Sequence, residues 1–349
     1  MSEGDTTVCT VCGTPARPGA RFCARCGASL GASAGLAETA GRGDEAPTVP
    51  RPPAPQIDPA SAPTVAFNRP PAEAVTLTGM QAIQQRALRQ VSGPATHVGR
   101  VRSHNEDYVA KLDCSLDQSG AAEPMGLYIV ADGMGGYQEG EKASRDSVRQ
   151  AFRDFIEGHI LNDLDAPTRS LRSDDEPPLD ATLRSLVEEA NRLIFAKRQA
   201  KGVRHGTTIV ALLIVGARAA VANVGDSRAY LLRDGALRQI SDDHSLVFGL
   251  YKAGQISEEQ IYTHPQKNEI YRSLGAQEKV QVDVFTLDLH AGDRLLLCSD
   301  GLWEMVRNGQ IASIVANAHT PQLACDRLVA AAFDNGGVDN ISAIVVHME

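Results

Sequence analysis

Four aspartates in this 349-residue chain stand where an apolar run meets glycine. Asp132 ends the run 127–131 and precedes Gly133, with Gly135 and Gly136 close behind. Asp300 ends the run 295–299 and precedes Gly301. Asp226 follows Gly225, and Asp339 lies between Gly336-Gly337 and the last apolar run, 341–347. Glu106 and Asp107 form an adjacent pair after a further strand-like run, 96–102. A single acid of this kind is a turn residue. Five such places predict carboxylates gathered at one end of a sheet, and gathered carboxylates repel unless a cation sits between them. Oxygen donors alone suit magnesium or manganese, and no histidine cluster accompanies them to suggest catalytic zinc.

A second set of residues could bind a different metal. Cys9, Cys12, Cys23 and Cys26 give C-x2-C-x10-C-x2-C, with Gly13 and Gly27 after the two pairs. Four thiolates at this spacing can enclose one structural zinc ion in a ribbon. The alternative is two disulfides of a secreted protein. The opening residues Met1-Ser2-Glu3-Gly4-Asp5 lack the basic start and apolar stretch of a signal peptide, which favours zinc and a cytoplasmic location. The ribbon is expected to contact an unidentified partner protein, because its four thiolates leave no open position for catalysis.

The elements that must position these groups follow from the spacing of apolar residues. The zinc ribbon is assigned to residues 1–30. Residues 31–94 make an Ala/Pro-rich linker, since nine of the eighteen prolines fall between Pro47 and Pro71. A short helix over 77–91 is expected near its end. The large domain is expected over 95–349. It has strand runs at 96–102, 108–112, 127–131, 207–215, 219–224, 228–232, 237–240, 280–289, 294–298 and 341–347. Helical periods occupy 140–157, 180–199 and 301–335, and 244–276 reads as mostly helical. Arg233-Asp234-Gly235 is a hairpin turn. Short strands joined by tight turns indicate antiparallel pairing, so the fold class is α+β, with sheets inside and helices outside. The formal net charge of −9 argues against nucleic acid as a partner, and no apolar run reaches transmembrane length.

Taken together, several short motifs resemble the metal-dependent protein phosphatases of type 2C in their bacterial form. They are the segment 98–107, Ala131-Asp132-Gly133-Met134-Gly135-Gly136, Gly140-Glu141 with Ala143-Ser144, Gly206-Thr207-Thr208, the segment 224–230, Asp243-His244-Ser245, the segment 298–302 and the segment 336–341. The resemblance spans about 250 residues and leaves out the ribbon and linker. It implies a four-layer α-β-β-α sandwich of two antiparallel sheets flanked by helices. It also implies hydrolysis of phosphoserine and phosphothreonine proteins, substrates of a partner kinase, by a metal-activated water at a two-metal centre. By the same resemblance Asp132 bridges both Mg2+ or Mn2+ ions, the Gly133 carbonyl and Glu106 each support an ion, and Asp300 and Asp339 hold one. Asp107 orders the water, Arg102 binds phosphate, and Asp226 and Glu304 join Asp300 around a third, weaker ion.

This chain departs from the family pattern at His97, where many relatives carry Asp, at Tyr137, usually His, and at His205, usually Met. Met134 stands where animal members have His. The departures leave every expected carboxylate in place. The competing expectation is a pseudophosphatase, a catalytically weak or inactive module that only binds partners. Cys114, Cys298 and Cys325 are expected to be small core residues.

Overall fold

The structure is a computed structural model that describes residues 88–117, 122–135, 138–161, 178–203 and 205–349. The ribbon cysteines, Tyr137 and most of the linker lie outside these residues. Two antiparallel sheets form the centre. One has the strand order β1-β11-β10-β7-β8, and the other β2-β3-β5-β6-β9, with the two-residue β4 (Gly206–Thr207) paired to the end of β3. In the first sheet, β1 (Gln90–His97), β11 (Ile341–Met348), β10 (Arg294–Cys298), β7 (Arg228–Arg233) and β8 (Ala236–Gln239) lie side by side. In the second, the strands are β2 (Asp107–Asp117), β3 (Ala122–Met134), β5 (Ile209–Val215), β6 (Arg218–Val224) and β9 (Asp283–Asp288).

Strands buried on both faces explain why the sequence runs are apolar without alternation. Along β3, Leu127, Ile129 and Ala131 point to an outer cluster while Tyr128 and Val130 point between the sheets. On β11, Ile341, Ala343 and Val345 face outward and Ile344 and Val346 face the other sheet. Helices α1 (Gln138–Phe155) and α2 (Leu179–Lys201) cover the second sheet through Val148, Phe155, Leu183 and Val187. Helices α6 (Asn308–Asn317) and α7 (Pro321–Asp334) cover the first through Ile311, Val315 and Leu328. The result is the expected four-layer sandwich. Each fully buried Val, Leu or Ile contributes roughly 1.5–3 kcal/mol to such a core.

Two expectations need correction. The first strand is Gln90–His97, not 96–102, so Gln90 and Val91 are not helical, residues 90–94 belong to the sheet and not to the linker, and 98–102 form a loop; residues 77–87 of the expected helix lie outside the described residues. Gly93 and Pro94 made the start of the strand read as linker. β1 is an edge strand, where Pro94 costs no central ladder bond. A side chain at Gly93 would run into the Gln322 backbone at 2.4 Å, so glycine lets α7 cross the strand closely. The second correction concerns 244–276. Only α3 (Leu246–Lys252) and α4 (Glu258–Thr263) are helical there, and the rest is irregular. The Asp234-Gly235 turn is as expected, with φ of 51° and 79°, the type that closes a two-residue hairpin between β7 and β8.

Candidate active site

Register places the acids on one edge of the sandwich. Asp107, first in β2, pairs directly with Asp132 near the end of β3. β5 begins opposite the end of β6, so Gly225-Asp226 leaves the sheet on that same edge. In the first sheet Cys298, at the end of β10, pairs with Ala343 near the start of β11. Asp300, which opens the short helix α5 (Asp300–Trp303), and Asp339 therefore emerge together. A pocket of about 270 Å³ lies between these strand ends, lined by Asp132, Gly133, Asp226, Asp300, Asp339 and Glu106, with Arg102 beside them.

The backbone beneath the acids is held tightly. The Asp132 N–H donates to Thr208 Oγ1 at 3.0 Å, and its carbonyl accepts from the Thr208 N–H and the Thr207 hydroxyl, both at 2.8 Å. The Gly133 N–H donates to the Glu106 carbonyl at 3.1 Å, and the Ser144 hydroxyl donates to that carbonyl at 2.6 Å. A side chain on Gly133 would meet the Gly140 carbonyl oxygen at 2.2 Å, so strand end and helix start can touch only through glycines. The Asn340 amide secures the other wall. Its Oδ1 accepts from the Glu106 N–H at 2.8 Å, and its Nδ2 donates to the carbonyls of Val98 and His104, both at 2.9 Å.

Asp226 is positioned by buried neighbours. Trp303 Nε1 donates to its carbonyl at 3.0 Å. His244 Nδ1 accepts from the Gly225 N–H at 3.0 Å, and the His244 N–H donates to the Gly225 carbonyl at 2.8 Å. The His244 Nε2 lies 3.0 Å from Asp283 Oδ2 and 2.8 Å from Arg272 Nη1. Beneath them Arg228 grips Asp243 at 2.7–3.0 Å and stacks 3.5 Å over the Trp303 ring.

The electrostatics of the edge are those of crowded acids. Burial first, then the charges of Asp107, Asp300, Asp226 and Asp339, hold the Asp132 carboxyl well above the usual carboxylate range. Burial and then Asp226, Asp339 and Glu304 do the same to Asp300. Burial pushes Asp226 up to about 7, with the charge of Asp243 adding to it. Asp107 rises to about 6 through burial, offset in part by the Ser299 hydroxyl donating to Oδ2 at 2.8 Å. Its Oδ1, and Oδ1 of Asp300, are buried without a hydrogen-bond partner. A buried carboxylate oxygen without a donor is costly unless a cation completes it.

Tethered cations sit at two ends of the cluster. Arg102 Nη2 lies 2.6 Å from Asp339 Oδ2, and Lys267 Nζ pairs with Glu304 Oε2. Glu304 and Asp107 do not line the pocket. Among the described residues no three acidic, His or Cys side chains yet converge on one point as metal ligands do. The unpartnered oxygens and the all-oxygen donor set nevertheless fit the chemistry of hard divalent cations.

The departures also find places. His97 Nδ1 accepts from the Gly99 N–H at 2.9 Å, and its ring meets the edge of Phe333. His205 is buried beside Glu139, and burial lowers its basicity. Met134 lies at the pocket wall. Cys298 and Cys325 are fully buried core residues, with the Cys325 thiol pushed up to about 12 by burial. Cys114 is half-buried on β2. Sequence reasoning passed over Asn340, Ser299 and Lys267. Asn340 carried a signal in its place beside Asp339; the other two act through partners distant in sequence.

A profile for protein phosphatase 2C matches residues 100–329. The chain belongs to the protein phosphatase 2C family. The serine/threonine phosphatase stp of Listeria monocytogenes is 36 % identical over 256 residues, covering 73 % of this chain and 94 % of that one. A crystal structure of the serine/threonine phosphatase PstP/Ppp of Mycobacterium tuberculosis superposes with a TM-score of 0.60 at 32 % identity, over 75 % of this chain and 99 % of that one. A PstP catalytic domain in complex with 2 manganese ions is 31 % identical, with a TM-score of 0.60 over the same shares. The chain is thus a metal-dependent protein serine/threonine phosphatase with phosphoprotein substrates. A zinc-ribbon profile matches residues 8–30, which contain all four N-terminal cysteines, so a zinc ribbon stands at the N-terminus of this phosphatase.

Proposed function

We propose that this phosphatase hydrolyses phosphoserine and phosphothreonine at a two-metal centre built on Asp132. Manganese or magnesium would be held by the carboxylates of Asp132, Glu106, Asp300 and Asp339 and by the Gly133 carbonyl, with Asp226 and Glu304 available to a third ion. Such cations supply Lewis acidity, which brings a water toward its hydroxide form at neutral pH and offsets phosphate charge. The observation that carries this reading is the acid edge itself, where buried and half-buried carboxylates from five strand ends gather at and beside the pocket and Oδ1 of Asp300 and of Asp107 is without a hydrogen-bond partner.

The chain's own residues then have distinct tasks. Asp132 keeps a fixed main chain because Thr207 and Thr208 bond it on both polar atoms. Asp107, with one oxygen held by Ser299 and the other free, accepts a proton or orients a water. Arg102 is half-exposed at the pocket mouth, where its planar guanidinium can turn from Asp339 to grip two phosphate oxygens. Water attacks phosphorus, the bond to the serine or threonine oxygen breaks, and that oxygen takes a proton. The products are the free hydroxyl and inorganic phosphate.

The zinc ribbon, with Cys9, Cys12, Cys23 and Cys26 on one zinc ion, recruits a protein partner in this reading, and the substrates are those of a partner kinase. No helix among the described residues is long and apolar enough to cross a membrane. The test is hydrolysis of a phosphothreonine peptide by chelated protein with and without added Mn2+. Activity restored by Mn2+ supports the reading. Metal-independent turnover refutes the mechanism, and no turnover in Mn2+ supports a pseudophosphatase.

A further inference from the structure

Two loops meet at the mouth of the pocket. One joins β1 to β2 over residues 98–106 and carries Arg102 and Glu106; the other joins α7 to β11 over residues 335–340 and carries Asp339 and Asn340. They are bonded to each other at several points. The Arg100 N–H donates to the Gly337 carbonyl at 2.6 Å, and Arg102 Nη2 meets Asp339 Oδ2 at 2.6 Å. Asn340 Nδ2 holds the carbonyls of Val98 and His104. Gly99, at a φ of 82°, lies so close to the second loop that a side chain there would meet the Asp339 carbonyl oxygen at 2.1 Å. The Arg100 guanidinium, 3.3 Å from Asp334, covers the Phe333 ring at 4.2 Å.

Between these ties each loop presents a valine to solvent. Val101 is 70 % exposed and Val338 is 45 % exposed. Among the described residues only five large apolar side chains are exposed. Scattered singly, such residues need no explanation. Here two of the five stand next in sequence to Arg102 and Asp339, on loops bonded to one another. The apolar ground beneath them is already covered, since the Phe333 ring meets His97 on its edge and Arg100 on its face. The valines are thus a fixed apolar surface beside a site that acts on phosphoproteins.

We propose that Val101 and Val338 form an apolar lip that receives an aliphatic side chain of the substrate, two positions from the phosphoserine or phosphothreonine. The proposal rests on the reading that Arg102 takes the phosphate at this mouth. The occupant follows from that continuity. A phosphoryl group that reaches Arg102 and Asp132 leaves its peptide lying across the mouth. Side chains of an extended peptide alternate, so the residue two positions away also faces the protein, about 7 Å along the chain. On one side of the phosphoresidue that places it over the loops that flank Arg102. A polar group there would be stripped of water without gaining a partner from either valine. An aliphatic group instead removes apolar surface from water on both molecules. Because the loops are tied to each other before substrate arrives, little ordering cost opposes the contact.

The test uses the full chain in Mn2+ and phosphothreonine peptides that carry Leu or Ala two positions before or two positions after the phosphoresidue. It is repeated on the chain with both Val101→Thr and Val338→Thr, which keep the branched shape and add a hydroxyl. In the unaltered chain one of the two Leu peptides should have a KM about fivefold below that of its Ala counterpart, the worth of roughly 40 Å² of apolar surface taken from water. Its kcat should match, because the contact is as strong in the ground state as in the transition state. In the doubly substituted chain the Leu and Ala peptides should have equal KM. If they are already equal in the unaltered chain, or if the Leu preference survives both substitutions, the lip is wrong and Mn2+-dependent turnover keeps the metal reading. A fall in oligomer size on double substitution, with no change in peptide preference, would give the face to a second copy of this chain and overturn the proposal. If no peptide turns over in Mn2+, the lip and the metal reading both fall.

Discussion

Arg102 and Asp339, separated by 237 positions in sequence, meet at 2.6 Å across the mouth of the pocket. A residue suited to phosphate thus occupies an acid suited to metal, and each must release the other before either can do its proposed work. The pairing also raises the Arg102 guanidinium above its ordinary basicity, first through the hydrogen bond to Asp339, so the arginine stays charged throughout.

Replacing Arg102 with alanine should raise KM for a phosphopeptide and lower kcat/KM by about 10–100-fold, the worth of a hydrogen bond to a charged group. Tight Mn2+ binding should persist, because the acids remain and Asp339 is released. Arg102→Lys should recover only part of the loss, since an ammonium cannot present two parallel donors. Steady-state kinetics beside a Mn2+ titration decide it. Unchanged kinetics would remove Arg102 from the phosphate site.

Metal-free protein should lose stability as pH rises. The folded-state pKa of Asp226 is raised to about 7 and that of Asp107 to about 6, above the ordinary 3.8, so the folded state holds these protons more tightly than the unfolded chain. Their contribution is full below the ordinary value and is lost as pH climbs through the raised ones. His205 and His347, whose basicity burial lowers, work in the opposite direction. The difference in Tm between the unaltered chain and Asp226→Asn isolates the acid. With chelator present, the unaltered chain should lose ground to the variant between about pH 4 and pH 7, the window between the ordinary and the raised value of Asp226. Parallel curves would contradict the assigned burial.

Asn340→Ala should cost both stability and substrate binding. One buried amide satisfies the Glu106 N–H and two carbonyls of the loop that carries Arg102. Leaving buried backbone groups unpaired costs about 1–3 kcal/mol each. Gln322, which bonds the Pro94 carbonyl at 3.0 Å away from the pocket, is the control. Gln322→Ala should leave KM alone, while Asn340→Ala should lower Tm and raise KM. Equal KM values in both would make Asn340 a purely structural residue.

The zinc ribbon should be dispensable for chemistry. Its four thiolates fill a tetrahedral site, and nine prolines follow it in the linker. Deleting residues 1–75 should leave Mn2+-dependent turnover of a small phosphoester unchanged and slow dephosphorylation of a protein that the ribbon holds nearby. Loss of small-substrate activity in a truncated chain still folded by circular dichroism would give the ribbon a role in the site.

The acid edge was legible because acids recur at five strand ends, more than turns alone explain, and because register brings such runs to a common edge in antiparallel sheets. The two sheets were legible for a related reason: residues 127–131 of β3 and 343–346 of β11 are buried on both faces and so are apolar without a break. The first strand was not, since Gly93 and Pro94 serve contacts with a helix more than 200 positions away, as the 228 positions between Pro94 and Gln322 illustrate. The irregular course of 264–271 was hidden too. Its shape depends on Ser245, His244 and Glu304, and no local pattern announces those partners. Lys267 looked like any surface lysine for the same reason.

The central claim is that Asp132 organises a divalent-metal centre on which hydrolysis depends. The direct measurement is Mn2+-dependent turnover of a phosphothreonine peptide by Asp132→Asn, paired with calorimetric Mn2+ binding and a melting curve in chelator. Asparagine keeps the shape and the Thr207 and Thr208 bonds to the main chain while removing the charge. The account predicts a rate loss of about 10²-fold or more, of the size that follows removal of a group aimed at transition-state charge, with loss of tight Mn2+ binding. It also predicts a metal-free Tm no lower than that of the unaltered chain, because a repelled acid has been neutralised. Near-normal turnover with tight Mn2+ binding in Asp132→Asn would contradict the account.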